Sequence, residues 1–82
     1  MNKKTILLIE DDQDLLNLTS EVMKDHFNVI PALNGSQAWD RLNKEKIDCI
    51  VSDLALPDID GVDLLRKLRD ANFDTPVIIV TG

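Results

Sequence analysis

Four short apolar runs, separated by segments with helical periodicity, limit this chain to a small set of folds. The runs are Thr5–Ile9, Asn28–Ala32, Cys49–Ser52 and Val77–Thr81. Three of them are nearly continuous in their hydrophobicity, which is typical of strands buried on both faces of a parallel sheet. Parallel strands need crossover connections, and right-handed crossovers place helices on both faces of the sheet. The sequence therefore predicts a β-α-β-α-β-α-β chain of the α/β class.

The three intervening segments carry apolar residues at the three- and four-residue spacings of amphipathic helices. The first helix is expected to begin at a cap supplied by Asp12 or Asp14, and the second at a cap supplied by Ser36. The third helix follows Gly61 and ends before Pro76, because proline and the residue before it do not continue a helix. The apolar stripes comprise Leu15, Leu16, Leu18, Val22, Met23 and Phe27 in the first segment, Ala38, Trp39 and Leu42 in the second, and Val62, Leu64, Leu65, Leu68 and Ala71 in the third.

Length and composition indicate a single domain over residues 1–82. A hydrophobic fraction of 44% with 29% charged residues is an ordinary globular balance. The net charge of −6 argues against direct binding to nucleic acid or to an anionic membrane, both of which need a basic face. One cysteine, Cys49, excludes an internal disulfide and a cysteine-based zinc site, and no apolar run is long enough for a signal peptide or a membrane span. We therefore expect a soluble, cytoplasmic, acidic domain.

Acidic residues follow two of the predicted strands at the point where each strand ends. Glu10 and Asp11 come directly after the first strand, and Asp53 follows the third. Ligands of open parallel sheets bind outside the carboxyl ends of the strands, so these carboxylates converge if the two strands are neighbours. Because like charges repel, the arrangement calls for a hard cation, and Mg²⁺ suits it best where a phosphoryl group joins the coordination. Asp53 precedes an apolar loop and is the candidate nucleophile, and the Thr81 hydroxyl would reach the same rim.

Several other polar and aromatic residues have structural interpretations. We expect Asp58, Asp60 and Asp63 to form a solvated loop and a first helical turn, where negative charge complements the helix dipole. Cys49 and Trp39 lie at apolar positions and are expected to belong to the core.

Three segments, LLIEDDQDLL, DCIVSDLALPDIDGVDLL and TPVIIVTG, closely resemble the receiver domain of two-component response regulators. The similarity runs over all 82 residues in the family's order. Its most specific element is Asp53 with Pro57 four residues on and Gly61 eight residues on. These positions also make local sense, because proline restricts φ in the loop and glycine permits the turn into the third helix.

The resemblance implies both a function and a set of site residues. Asp53 would take a phosphoryl group from a histidine kinase or a phosphotransfer domain, so the module would serve a phosphorelay without being an enzyme itself. The implied site residues are Glu10, Asp11, Asp53 and the backbone carbonyl of Ala55 for Mg²⁺, and Thr81 and Gly82 for contact with the phosphoryl group.

The departure from the family lies in what does not follow Gly82. Full receivers continue with a helix, a fifth strand and a fifth helix, which complete a flavodoxin-like 2-1-3-4-5 order, and their active-site lysine ends the fifth strand. Lys67, on the third helix, is misplaced for that role. We therefore expect a flavodoxin-like sheet that lacks the last helix-strand-helix, impaired phosphorylation, and a homo-oligomer formed through the exposed edge of Val77–Thr81.

Two other functions remain as alternatives. A non-catalytic receiver fragment that acts as an assembly or folding unit would keep the acidic pocket without the transfer chemistry. A Mg²⁺-dependent phosphatase with a nucleophilic Asp53 is less well supported, because Ala55 stands where a second general acid is needed. Nucleotide binding lacks support, since the three glycines form no phosphate-binding motif.

Overall fold

The structure is a computed structural model that describes residues 3–80. It confirms the alternation of strands and helices, and the first three strands differ from their predicted runs by one residue each. The predicted end of the fourth run, Thr81, lies outside the described residues. The elements are β1 (Lys4–Ile9), α1 (Gln13–Met23), β2 (Phe27–Ala32), α2 (Gly35–Lys44), β3 (Cys49–Asp53), α3 (Gly61–Asp70) and β4 (Val77–Val80).

The four strands form one parallel sheet in the order β2-β1-β3-β4. The register places Ile9 of β1 beside Ser52 of β3, and Asp53 beside Val80 of β4. Because β1 and β3 are parallel neighbours, the residues that follow Ile9 and the last residue of β3 lie at the same edge of the sheet. The first and third strands are therefore neighbours, which is the condition under which Glu10, Asp11 and Asp53 were expected to converge.

One face of the sheet carries the main hydrophobic core. Trp39 was expected in this core but lies half-buried at its margin, where its ring packs edge to face against Phe73 with 5.7 Å between the ring centroids. Cys49 is likewise half-buried. The buried cluster comprises Leu7, Ile9, Ala32 and Ile50 from the strands, Ala38 and Leu42 from α2, Leu64 and Leu68 from α3, and Leu56 from the loop before α3.

The opposite face is covered only by α1 among residues 3–80. Leu16 of α1 is buried, but the rest of the predicted apolar stripe of this helix is not, since Leu18 and Val22 are 63% and 68% exposed. On β4, Ile78 and Val80 are 55% and 50% exposed on the same side of the sheet as the α1-facing residue Val51. Apolar side chains on α1 and on β4 are therefore exposed. No helix within residues 3–80 is long and apolar enough to cross a bilayer.

The prediction that Ser36 caps α2 was wrong. The cap is Asn34, whose backbone is extended and whose side-chain oxygen accepts the N–H of Gln37 at 2.8 Å. Ser36 is already helical and lies two residues after Asn34, so its hydroxyl is too far along the chain to serve as the cap. The other helices start at aspartate caps: Asp12 for α1, as predicted, and Asp60 for α3.

Candidate functional site

Three carboxylates lie close together at the carboxyl ends of the strands. Glu10 and Asp11 follow β1, and Asp53 is the last residue of β3. A carboxylate oxygen of each residue lies within 4.8 Å of one from each of the others. Glu10 and Asp53 are half-buried, whereas Asp11 is exposed. This set of convergent oxygen ligands has the chemistry that a hard divalent cation such as Mg²⁺ requires.

The electrostatics of this cluster oppose its full ionisation. Burial raises the pKa of Glu10 above its ordinary value, and the negative charges of Asp53 and Asp11 act in the same direction. The N–H of Asp12 donates to Glu10 Oε1 at 3.1 Å and partly offsets this rise in the pKa. A cation placed among the three residues would relieve the repulsion and favour the ionised glutamate.

The loop from Leu54 to Asp60, which follows Asp53, is closed at its base. The N–H of Gly61 donates to the carbonyl of Leu54 at 2.7 Å, and Ala55 and Asp60 form an isolated antiparallel bridge. At the start of the loop the N–H of Ala55 lies 3.4 Å from Oδ1 of Asp53. The conformation of the loop is thus linked directly to the position of the candidate nucleophile.

Gly61 is required for a reason that differs from the prediction. Its φ is not positive, so freedom to make the turn is not what distinguishes it from other residues. A Cβ at this position would instead lie 3.1 Å from the carbonyl oxygen of Asp53 and 3.2 Å from the Cα of Leu54. Glycine is therefore needed because two segments of backbone pass close together beside the site.

Asp58 is exposed, as predicted, but it is not merely solvated. Its Oδ1 accepts the N–H of Gly35 at 2.8 Å, and its Oδ2 accepts the N–H of Ser36 at 2.9 Å. The N–H of Gly35 contributes most to lowering the pKa of Asp58, because hydrogen bonds to the carboxylate favour its charged form. Sequence reasoning missed this role, since nothing in the local pattern identifies a partner 22 residues away.

Two cavities bear on the location of the site. A cavity of about 220 Å³ opens on the α1 face and is lined by Leu8, Glu10, Leu15, Thr19, Val51, Asp53 and Val80. A larger cavity of about 550 Å³ follows the β2 edge between α1 and α2, but it contains none of the three convergent carboxylates. The candidate site is therefore identified by the chemistry of its lining residues and not by the volume of its cavity.

The remaining predicted site residues lie in or beyond the loop after Asp53. Pro57 is exposed within this loop, and Ala55 is exposed beside its start. Thr81 and Gly82, expected at the phosphoryl group, lie outside the described residues.

Comparison with known proteins identifies the class. The family profile described as the response regulator receiver domain matches residues 6–82. The chain therefore belongs to this family, and the resemblance inferred from the sequence is confirmed. Receiver domains generally bind Mg²⁺ through acidic residues and interact with histidine kinases or phosphotransfer proteins, and the acidic cluster described above is a candidate for such a site.

Individual relatives place the chain more closely. It is 43% identical to the transcriptional regulatory protein CpxR of Escherichia coli K12, covering 100% of this chain and 34% of that protein. It is 32% identical to the receiver protein CpdR of Brucella abortus, covering 96% of this chain and 67% of that protein. The receiver domain of the Francisella response regulator 1452 superimposes with a TM-score of 0.91 at 30% identity, covering 96% of this chain and 66% of that one. The flavodoxin-like fold is confirmed, and the chain spans about a third of the curated transcriptional regulators it matches.

Proposed function

We propose that this chain is the phosphoacceptor module of a two-component phosphorelay and that Asp53 receives the phosphoryl group. One observation carries the proposal: in a chain of the receiver family, Asp53 lies at a strand end within 4.8 Å of two further carboxylates. The donor would be a histidine kinase or a phosphotransfer domain, and the module would be an acceptor and not an enzyme. With such a partner, the module would act in the cytoplasm.

The residues of the site divide the chemistry between them. Glu10, Asp11 and Asp53 would hold Mg²⁺ together with the backbone carbonyl of Ala55. When bound, the ion supplies positive charge that neutralises the carboxylates and the phosphoryl oxygens. A carboxylate oxygen of Asp53 would form the new bond to phosphorus while the bond from phosphorus to the donor's histidine nitrogen breaks, and that nitrogen keeps the electron pair. Thr81 and Gly82 would contact the phosphoryl group.

The closed base of the loop prepares Asp53 for this transfer. The Gly61–Leu54 hydrogen bond and the bridge between Ala55 and Asp60 limit the movement of the segment that carries the nucleophile. Holding a reacting group in place lowers the entropic part of the barrier. The half-buried position of Asp53 also strengthens its interaction with any cation or donor that enters the site.

Labelling with a small phosphoryl donor tests the proposal. The chain is incubated with acetyl phosphate and MgCl₂, and its intact mass is followed with time. We expect the mass of one phosphoryl group to be added to the parent and to Asp63→Asn, an exposed control, and not to Asp53→Asn. Labelling that persists in Asp53→Asn would show that another residue is the acceptor.

The rate of labelling carries a second expectation. The 82-residue chain contains no lysine that matches the family's active-site lysine. A lysine contact to a phosphoryl oxygen is a charge-assisted hydrogen bond, and its absence predicts labelling about 10- to 150-fold slower than in a complete receiver. Equal rates in the two proteins would contradict this expectation.

A further part of the proposal concerns association of the chain with itself. β4 is an edge of the sheet within residues 3–80, and Val77–Val80 contains neither a charge nor a proline. The opposite edge, β2, contains Pro31, which cannot donate a backbone hydrogen bond to an added strand. Unprotected apolar edges favour pairing with another chain, and two copies of β4 would pair about a two-fold axis. This feature also supports the alternative function as an assembly unit.

Light scattering behind size exclusion measures this association. We expect the 82-residue chain to form a dimer or a larger assembly at micromolar concentration, and Ile79→Lys to reduce it. A sharp monomer peak that unfolds cooperatively would contradict self-association. An assembly that survives the Ile79→Lys substitution would place the contact elsewhere.

A further inference from the structure

The loop that follows the candidate phosphoacceptor is attached to α2 through one carboxylate. Asp58 accepts the N–H groups of Gly35 and Ser36 at 2.8 and 2.9 Å, across 23 and 22 residues of sequence. The hydrogen bonds at the base of this loop are local, because they join Gly61 to Leu54. The Asp58 carboxylate is therefore the polar contact that positions the tip of the loop relative to a separate helix.

The start of α2 is shaped to receive the loop. A Cβ on Gly35 would overlap Cγ2 of Ile59 and would lie 3.2 Å from Oδ1 of Asp58. The first N–H groups of a helix have no partners within the helix, and a carboxylate there is also favoured by the helix dipole. On the other side of the tip, Leu56 is buried in the main core. The tip is thus held by apolar packing on one side and by two charge-assisted hydrogen bonds on the other.

We propose that Asp58 is a positioning residue of the phosphoacceptor site. By anchoring the loop tip to α2, Asp58 keeps Ala55 and the adjoining Asp53 in the arrangement that binds Mg²⁺ and receives the phosphoryl group. The N–H of Ala55, 3.4 Å from Oδ1 of Asp53, is the contact through which a shift of the loop would reach the nucleophile. This inference rests on the proposed function of Asp53.

The test compares Asp58→Ala, Asp58→Asn and Asp63→Ala with the parent chain. Asn retains one side-chain acceptor, and Asp63 is an exposed acid in the first turn of α3 whose removal changes the net charge equally. Amide hydrogen exchange at Ala55 and Gly61, whose N–H groups contact Oδ1 of Asp53 and the carbonyl of Leu54, reports the order of the loop base. Mg²⁺ affinity is measured by titration calorimetry.

We expect Asp58→Ala to weaken Mg²⁺ binding about 10-fold, the lower end of what loss of an outer-shell partner typically costs. Exchange at Ala55 and Gly61 should accelerate relative to the amides of β1. Asp58→Asn should show a smaller effect on both quantities, and Asp63→Ala should match the parent.

Two outcomes separate this inference from the proposed function. Unchanged Mg²⁺ affinity and unchanged exchange at Ala55 and Gly61 in Asp58→Ala, with only a lower free energy of unfolding, would overturn the positioning role. Faster exchange at those amides in a chain whose parent takes no phosphoryl group would support the anchoring and overturn the proposed function instead.

Discussion

On one face of the sheet Leu7 and Ile50 are fully buried beneath α2 and α3, whereas on the other face Ile78 and Val80 are about half exposed. The two faces are built from the same strands, because successive side chains of a strand point to opposite sides. The α2/α3 face is closed by two helices and by Leu56 of the loop. Within residues 3–80 the α1 face is covered by a single helix.

The difference indicates that the α2/α3 face contributes most to stability, whereas the candidate functional site lies at the α1 face. Glu10 and Asp53 line the cavity of the α1 face, together with Val51 and Val80. Burial and the repulsion among these carboxylates raise the pKa of Glu10, and this repulsion acts at the strand ends. The apolar burial on the α2/α3 face stabilises the fold and offsets the destabilising repulsion among the carboxylates.

The largest effect that tests this comparison is expected on the closed face. Leu68 of α3 is completely buried, and Leu68→Ala should lower the free energy of unfolding by about 2–5 kcal/mol. Leu18 of α1 is 63% exposed, and Leu18→Ala should change the same quantity by no more than about 0.5 kcal/mol. Urea unfolding followed by circular dichroism measures both. Equal losses would mean that the outer side of α1 is buried in solution.

A second substitution acts where the loop passes beside the end of β3. Gly61→Ala places a Cβ 3.1 Å from the carbonyl oxygen of Asp53, and the backbone must move to accept it. We expect a loss of about 1–3 kcal/mol in the free energy of unfolding, as for other overpacked sites, and slower labelling by acetyl phosphate. Ala71→Gly at the exposed end of α3 is a control that leaves the site intact. A labelling rate equal to that of the parent would show that this close approach does not position Asp53.

Removing a charge from the open face should stabilise the chain. Asp53→Asn removes one of three neighbouring negative charges, and we expect the free energy of unfolding to rise by about 1 kcal/mol without Mg²⁺. The pKa of Glu10, raised by burial and by these charges, should fall toward its ordinary value in the variant. MgCl₂ should stabilise the parent more than the variant. A destabilised Asp53→Asn in metal-free buffer would contradict mutual repulsion at this face.

The smallest effect concerns the acid end of the pH range. Hydrogen bonds from α2 lower the folded-state pKa of Asp58 below its ordinary value of 3.8. Its contribution to stability is therefore present above that value and is lost as the pH falls through the lower folded pKa. The free energy of unfolding of the parent should decrease on acidification. In Asp58→Asn this decrease should be smaller, by less than about 1 kcal/mol because Asp58 is exposed. Identical pH profiles for variant and parent would contradict this assignment.

Local sequence patterns were sufficient for much of the fold. The apolar runs placed the strands to within a residue, because continuous hydrophobicity over four to six residues between turn-forming segments is typical of a buried strand. The capping prediction succeeded at Asp12 and failed at Ser36, where Asn34, two residues earlier, is an equally suitable capping residue. Only the backbone conformation distinguishes two such candidates. The predicted stripe of α1 was only partly correct, because Phe27 is the first residue of β2 and because Leu18 and Val22 are exposed.

The β/α alternation and the placement of Glu10, Asp11 and Asp53 at strand ends were predictable from the amino-acid pattern, since both depend on neighbours along the chain. The adjacency of β1 and β3, which brings those carboxylates within 4.8 Å of one another, results from the packing of segments that are distant along the chain. The same packing places Asp58 at the start of α2 and leaves little room for a side chain at Gly61. Strand order, the Asp58 contact and the close approach at Gly61 all depend on which segments pack together in space, and local periodicity carries no information about that choice.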